Sequence, residues 1–375
     1  MRTATNRHEL NSNQQALLEL VRAGLWRDEA RISQYGKVDY PTIRAQAEAQ
    51  GVIGLIAAGL EYADVRPSQI EMLNIVGSTL QIEQRNEAMN DFIADIVERM
   101  RAEDIYTLLV KGQGVAQCYE KPLWRPSGDV DFLLSEDNYK KARTFLLPLS
   151  SGNKDEERYS QHLGMNIGKW YVEIHGSLRT GLTGRIDRVV DEVQNDVFYD
   201  GNVRSWQNEK TQVFLPAPTN DVFLVFTHFI KHFYKEGMSL RQVCDWCRLL
   251  WTYRDTIDLR NLELWIRRAG LMGEWRAFGT LAVNRLGMPE TAMPLFNGNH
   301  NTNLSEKAEK LIRFILVGSS GDKVKDTYEI AKIFPWHTIK FLPSIFLNVN
   351  GLKIKERLIS KDSGQSKKRA ADEMD

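Results

Sequence analysis

The chain has 375 residues, of which 42% are hydrophobic, 26% charged and 10% aromatic. This excludes a predominantly disordered protein, because the apolar content can offset the entropy of ordering. With 26 Gly, 11 Pro and 3 Cys the chain is neither collagen-like nor a disulfide scaffold, and the odd cysteine count fits a reducing compartment.

The 49 Lys plus Arg balance 49 Asp plus Glu, so no global field draws in long nucleic acid or an anionic membrane. Any polyanion site has to be local. At about 150 residues per domain the length suggests two or three domains. Met1–Arg7 leads into polar sequence without the apolar core of a secretory signal. No window reaches the ~18 apolar residues of a membrane span. A cytoplasmic protein is expected.

Helical spacing dominates to about Glu103. Leu17, Leu18, Val21 and Leu25 form one stripe over Gln14–Leu25. Pro41 suits the first turn of a second helix carrying Ile43 and Ala47, and Val52–Leu60 reads as a short buried helix. After Pro67-Ser68, the spacing of Ile70, Leu73, Ile75, Leu80, Ile82, Met89, Phe92, Ile93, Ile96 and Met100 predicts one long helix to about Ala102.

The pattern then changes. Ile105–Val110 is a short β-prone run, Gly114–Glu120 is helical, and Asp129–Leu134 reads as a buried strand. Ser135-Glu136-Asp137 opens a helix that Asn138–Leu147 completes. Ser151–Glu157 reads as a polar loop. Arg158–Ile167 and Trp170–Leu178, joined by Gly168-Lys169, read as a β-hairpin. Thr211–Leu215 is a weaker strand ending at Pro216-Ala217-Pro218.

From Asp221 the helical period returns in Asp221–Tyr234, Ser239–Tyr253, Asn261–Ala269, Glu274–Leu286 and Ser305–Leu316. Ile333–Leu352 is apolar but broken by Pro335 and Pro343, which predicts that it is not one straight helix. The chain thus divides into a helical region (1–103), an α/β core (104–218), a second helical region (219–362) and a mobile tail (363–375). The expected fold class is α+β.

The chemistry concentrates in the α/β core. Residues two apart on a strand point to the same face, with Cα atoms about 6.5 Å apart, so Asp129 and Asp131 project side by side. Two anions on an otherwise apolar strand repel unless a cation lies between them. Mg²⁺ takes oxygen ligands, typically one or two carboxylates plus substrate phosphates. A solvated strand end or a helix-capping pair is the alternative.

In Tyr171-Val172-Glu173-Ile174-His175 the alternation places Glu173 and His175 on one face. If the two strands are neighbours, Glu173 completes a carboxylate trio for one or two Mg²⁺ or Mn²⁺ ions, as two-metal phosphoryl chemistry requires. Otherwise Glu173 lies on a half-exposed strand with its polar face in water. His175 is placed to hydrogen-bond near the site.

Lys111-Gly112-Gln113-Gly114, between a strand and a helix, offers backbone N–H groups and one ammonium to phosphate. It lacks the G-x-x-x-x-G-K-[ST] pattern, and an ordinary tight turn is the alternative. Arg125 is either a bidentate phosphate clamp or an exposed loop arginine. His228 and His232 are one helical turn apart without an H-E-x-x-H pattern. His228 either touches substrate from a cleft-facing helix or is structural. Cys244 and Cys247 lack a second pair to complete a zinc site and read as packing. Arg241 and Asp245 are spaced to pair on a helix surface.

In order and spacing, the strand, the glycine turn, the D-x-D strand and a later Glu-bearing strand resemble the nucleotidyltransferase fold of the DNA polymerase β type. More narrowly, LLVKGQGVAQCYEKPLWRPSGDVDFLL with YVEIHGSL downstream resembles an uncharacterised bacterial nucleotidyltransferase-like family. The later THFIKHF…LRQVCDWCRLL resembles that family's helical block. The similarity spans roughly Ala57 to Leu250.

This resemblance implies a central mixed sheet flanked by helical regions. It also implies Mg²⁺-dependent transfer of a nucleoside monophosphate from a nucleoside triphosphate to an acceptor hydroxyl. Asp129 and Asp131 would hold the metal, Glu173 would be the third carboxylate and help deprotonate the acceptor, Lys111 and Gly112 would face the triphosphate, and Arg125 would be an accessory phosphate contact. Gln113 stands where the broader superfamily carries Ser, so a hydroxyl contact to phosphate is missing. The resemblance also makes Asp245 a cleft residue.

Zero net charge favours a small-molecule or protein acceptor over a long nucleic acid, with an RNA held by a local basic patch as a further option. Two other readings are a catalytically impaired nucleotide-binding or interaction protein, and a toxin-like enzyme acting on a cellular target.

Overall fold

Side-chain caps set where the first helices begin. The structure is a computed structural model and describes residues 10–157, 161–296 and 302–346. Asn11 and Gln14 form a reciprocal capping box at the start of α1 (Ser12–Trp26). Asp39 caps α2 (Tyr40–Ala49), with Pro41 in its first turn, and α3 (Ile53–Gly59) is short and buried.

Ser68 accepts a hydrogen bond from the Glu71 N–H at the start of α4 (Gln69–Ala102). At 1.5 Å per residue this helix is about 51 Å long. Its C-terminal half buries Met89, Ile93, Ile96 and Met100 against the sheet. Ile70, Leu73 and Leu80, expected on the same stripe, are exposed. In its N-terminal half the helix turns Ile75, expected on that same stripe, into the core built by α1–α3.

The sheet positions the site. After α4 come β1 (Leu108–Val110), α5 (Gly112–Ala116), β2 (Asp129–Leu133) and α6 (Glu136–Leu146), then β3 (Ser151–Glu157), β4 (His162–Ile167) and β5 (Trp170–His175). The spatial order is β1-β2-β5-β4-β3. β2 and β5 are parallel, and the other neighbours are antiparallel. The two-residue Gly168-Lys169 turn sets the β4–β5 register, with Ile167 opposite Trp170 and His162 opposite His175.

Ser151–Glu157, expected as a loop, is an edge strand on β4. Its own residues are poor strand formers, so the unpaired edge of β4 makes it a strand, and its charges suit an edge position. Phe132, Val172, Ile174, Leu163 and Met165 face α4 and α6 as a second core.

Between the hairpin and Thr211, where the sequence pattern assigns no element, the chain forms α7 (Gly184–Tyr199) and β6 (Val203–Asn208). β6 pairs with β7 (Thr211–Pro216) as a separate two-stranded sheet. Then follow α8 (Pro218–Lys235), α9 (Leu240–Tyr253), α10 (Leu259–Ala269), α11 (Met272–Leu286), α12 (Thr302–Val317) and α13 (Lys323–Ala331). Residues 335–346 are helical, so Pro335 opens a helix, and that helix continues through Pro343.

One core cluster joins α1 and α3 to α8, α9, α11 and α12, centred on edge-on contacts among Phe226, Trp246, Trp275, Phe229 and Phe278. The three cysteines, Cys118, Cys244 and Cys247, are buried and free. The architecture is therefore α+β, a mixed central sheet with helices at both ends. Among the described residues no helix is long and apolar enough to cross a membrane. The expected tail 363–375, Met1–Arg7, Arg158 of the predicted hairpin and Leu352 of the apolar stretch lie outside the described residues.

α1 and α3 approach closely because Gly59 has no side chain: a Cβ there would lie 2.1 Å from the Leu20 carbonyl oxygen. Gly59→Ala is expected to cost about 1–3 kcal/mol by overpacking. This would be read as a lower urea midpoint at unchanged slope.

Candidate active site

Strand register brings the acids together. Asp131 stands opposite Glu173 across the parallel β2–β5 pair, and Val110 stands opposite Asp131 across β1–β2. Phe132, Val172 and Ile174 fill the core on one face, so alternation sends Asp129, Asp131, Glu173 and His175 to the other. Carboxylate oxygens of Asp129, Asp131 and Glu173 all lie within 4.8 Å of one another. The trio expected from spacing converges.

Lys111 and His175 surround Asp131. Lys111 Nζ donates to Asp131 Oδ1 at 2.9 Å, and His175 Nε2 lies 2.8 Å from the same oxygen. Burial alone would raise the Asp131 carboxyl, but the Lys111 charge and the His175 contact hold it below the ordinary carboxylate range. Burial would likewise lower the Lys111 ammonium, and the Asp131 charge, with Glu173 and Asp129 nearby, raises it instead.

Burial also opposes ionisation of Glu173, yet contacts with His162 and His175 push its carboxyl well down. Asp129 is the exception. Burial and the neighbouring Asp131 charge raise it.

The glycine turn is built under local strain. Lys111 adopts φ +57°, ψ −144° at the entry to α5, a region that non-glycine residues seldom occupy. Gly112 follows at φ +37°, where a Cβ would lie 3.3 Å from Ser127 Oγ and 3.5 Å from the Asp129 carbonyl oxygen. The turn is thereby pressed against the start of β2.

Two expected phosphate contacts are used elsewhere. The Gln113 side chain turns toward α4 and is 1% exposed. Its Nε2 donates to Asn86 Oδ1 at 2.8 Å, and Asn86 Nδ2 donates to the Leu123 and Arg125 carbonyls.

Arg125 is not an exposed loop residue. Its Nε and Nη2 make a bidentate pair with Asp245 at 2.9 and 2.7 Å, and its Nη1 bonds the Pro126 carbonyl and Ser127 Oγ. Tyr119 donates to the same carboxylate at 2.7 Å. The fork that would grip phosphate is filled by Asp245, whose charge offsets the cost of burying the guanidinium. Asp245 therefore does not pair with Arg241, as its helical spacing suggests. Arg241 Nη1 donates instead to the Pro126 carbonyl.

His228 lies within electrostatic reach of Lys111 and His175, and burial, with those charges, holds its imidazole well below the usual range. His228 Nε2 meets His232 Nε2 at 2.9 Å, and His232 Nδ1 meets Glu236 Oε2 at 2.8 Å. These side chains line one stripe of α8 and its C-terminal cap, Glu236.

His162 is the site residue that sequence reasoning passes over. Its Nε2 is 3.4 Å from Glu173 Oε2. The hairpin turn that pairs it with His175 was the available signal.

The residues fit a hard divalent cation. Three close carboxylates, with Asp129 resisting ionisation beside Asp131, make a set that a cation would relieve. A mixed sheet carrying converging acids beside a strained glycine turn is consistent with a nucleotidyltransferase-type fold. A family model described as an uncharacterised nucleotidyltransferase matches residues 36–284, and the chain belongs to that family. No curated protein and no solved structure matches the chain.

Two outcomes follow from these environments. A carboxyl raised by folding opposes folding once ionised, a penalty absent at low pH that grows as pH rises through the folded-state value. Asp129→Asn should therefore raise the thermal midpoint of the metal-free protein near neutral pH. The gain should vanish as pH falls below the carboxylate range. Asp245→Asn, by contrast, leaves Arg125 buried beside a neutral partner and should cost about 3–5 kcal/mol, seen as a lower denaturant midpoint.

Proposed function

We propose that this protein transfers a nucleoside monophosphate from a nucleoside triphosphate to an acceptor hydroxyl, releasing pyrophosphate. The observation that carries this reading is the convergence of Asp129, Asp131 and Glu173 on one face of the sheet, and membership of a nucleotidyltransferase family supports it.

In this reading Asp129, Asp131 and Glu173 hold Mg²⁺ or Mn²⁺. When bound, such an ion neutralises phosphate charge and activates the attacking oxygen. Glu173 holds protons too weakly, beside His162 and His175, to be an efficient proton acceptor, so its role is that of a ligand. Lys111 keeps Asp131 ionised and can swing its flexible ammonium to a phosphate oxygen. Gly112 keeps the backbone near the triphosphate.

His175 orients Asp131 and Glu173. His228, kept neutral by burial, hydrogen-bonds the substrate. Arg125 acts indirectly, anchoring the loop that leads into β2. With the chain's charges balanced, a small-molecule or protein acceptor is favoured over a long nucleic acid.

A pyrophosphate-release assay with triphosphate, Mg²⁺ and a panel of acceptors tests the reading. Asp131→Asn should lower turnover by about 10²–10³-fold, the loss of several kcal/mol of charge stabilisation, with cooperative unfolding retained. Turnover that survives Asp129→Asn plus Asp131→Asn would refute it. Triphosphate binding without turnover for any acceptor would favour a nucleotide-binding protein.

A further inference from the structure

β4 and β5 bring a second ligand set to the edge of the carboxylate cluster. His162 and His175 face each other across the antiparallel pair, and Glu173 precedes His175 by two residues on the same face. The Nε2 atoms of both histidines lie 3.4 Å from Glu173 Oε2. Ligand atoms from the three side chains all fall within 4.8 Å of one another, and the two imidazole rings stand with centroids 4.9 Å apart.

Two features separate this set from the acid trio. The first is ligand chemistry. Mg²⁺ takes oxygen ligands, whereas two imidazole nitrogens and one carboxylate suit zinc and its neighbours among the transition metals.

The second is spacing. Ligands about 2.0–2.1 Å from a tetrahedral ion lie about 3.3–3.4 Å from each other. The two imidazole–carboxylate separations here, each 3.4 Å, match that edge. The 2.8 Å contact from His175 Nε2 to Asp131 Oδ1, by contrast, is an ordinary hydrogen-bond distance.

We propose that His162, Glu173 and His175 hold a tetrahedral divalent transition-metal ion of the zinc class, adjacent to the Asp129–Asp131 position and distinct from it in ligand chemistry. Binding at His175 Nε2 replaces its contact with Asp131, whose Oδ1 keeps the Lys111 ammonium. Three protein ligands leave a fourth position for water or a substrate oxygen. Glu173 belongs to both sets and couples the two positions through one carboxylate. The site stands whether or not the protein transfers nucleotides.

The test uses full-length protein stripped with chelator and titrated with Co²⁺, a spectroscopic substitute for Zn²⁺, in the absence of nucleotide. Intense absorption of four-coordinate Co²⁺, saturating at one ion per chain and displaced by Zn²⁺, is expected in the wild type and in Asp129→Asn. His162→Ala and His162→Asn, checked for cooperative unfolding, should bind at least about tenfold more weakly. X-ray absorption at the zinc edge of the wild-type protein, which needs no variant, should show two imidazole ligands.

No four-coordinate spectrum in the wild type, a spectrum unchanged by either His162 variant, equal loss in Asp129→Asn, or a zinc edge without imidazole would each overturn the proposal. A parallel Mg²⁺–ATP titration keeps the two readings apart. Binding that Asp129→Asn abolishes supports the nucleotidyltransferase site whatever the cobalt result.

Discussion

Everything at the site follows from holding like charges close together. Asp129, Asp131 and Glu173 are kept on one face of a sheet whose other face is a dry core, so they cannot separate without breaking β2–β5 pairing. Lys111 and His175 compensate Asp131, and His162 with His175 compensates Glu173. Asp129 receives the least help and is the acid that resists ionisation. A rigid scaffold carrying unrelieved charge is the usual condition of a site prepared for a cation.

The helices serve this arrangement by fixing the segment that leads into β2. Asn86 on α4 bonds the Leu123 and Arg125 carbonyls, and Gln113 on α5 joins the same amide. Asp245 on α9 grips Arg125 and accepts from Tyr119. Helices distant in sequence thus meet at one loop, and the position of Asp129 depends on a buried ion pair in which neither partner touches the acid trio. Such a pair is costly to bury and costly to break, so its value here is geometric specificity.

Much of the local structure was legible in the sequence. The long helix to Ala102, the D-x-D strand and the hairpin around Gly168-Lys169 each carry a strong periodic or turn signal. β3 was not legible, because a run of Ser, Gly, Asn, Lys and acids becomes a strand only when β4 offers an edge. Ile70, Leu73 and Leu80 share the helical period of the buried positions yet face outward, since periodicity reports a stripe and not what covers it. For Arg125 its residue type, and for Gln113 its place in the glycine turn, pointed to phosphate, while burial committed their polar groups to Asp245 and Asn86.

What the sequence by itself determined was the alternation that puts Asp129 with Asp131 and Glu173 with His175, and the two-residue turn that sets His162 against His175. These are consequences of strand geometry over a few residues. Only the tertiary structure decided that β2 and β5 lie side by side and parallel, because that pairing joins segments about 40 residues apart through a crossover whose closure no local pattern encodes. It likewise decided which polar side chains face the cleft, since burial forces each charged group toward whatever partner the surrounding helices supply.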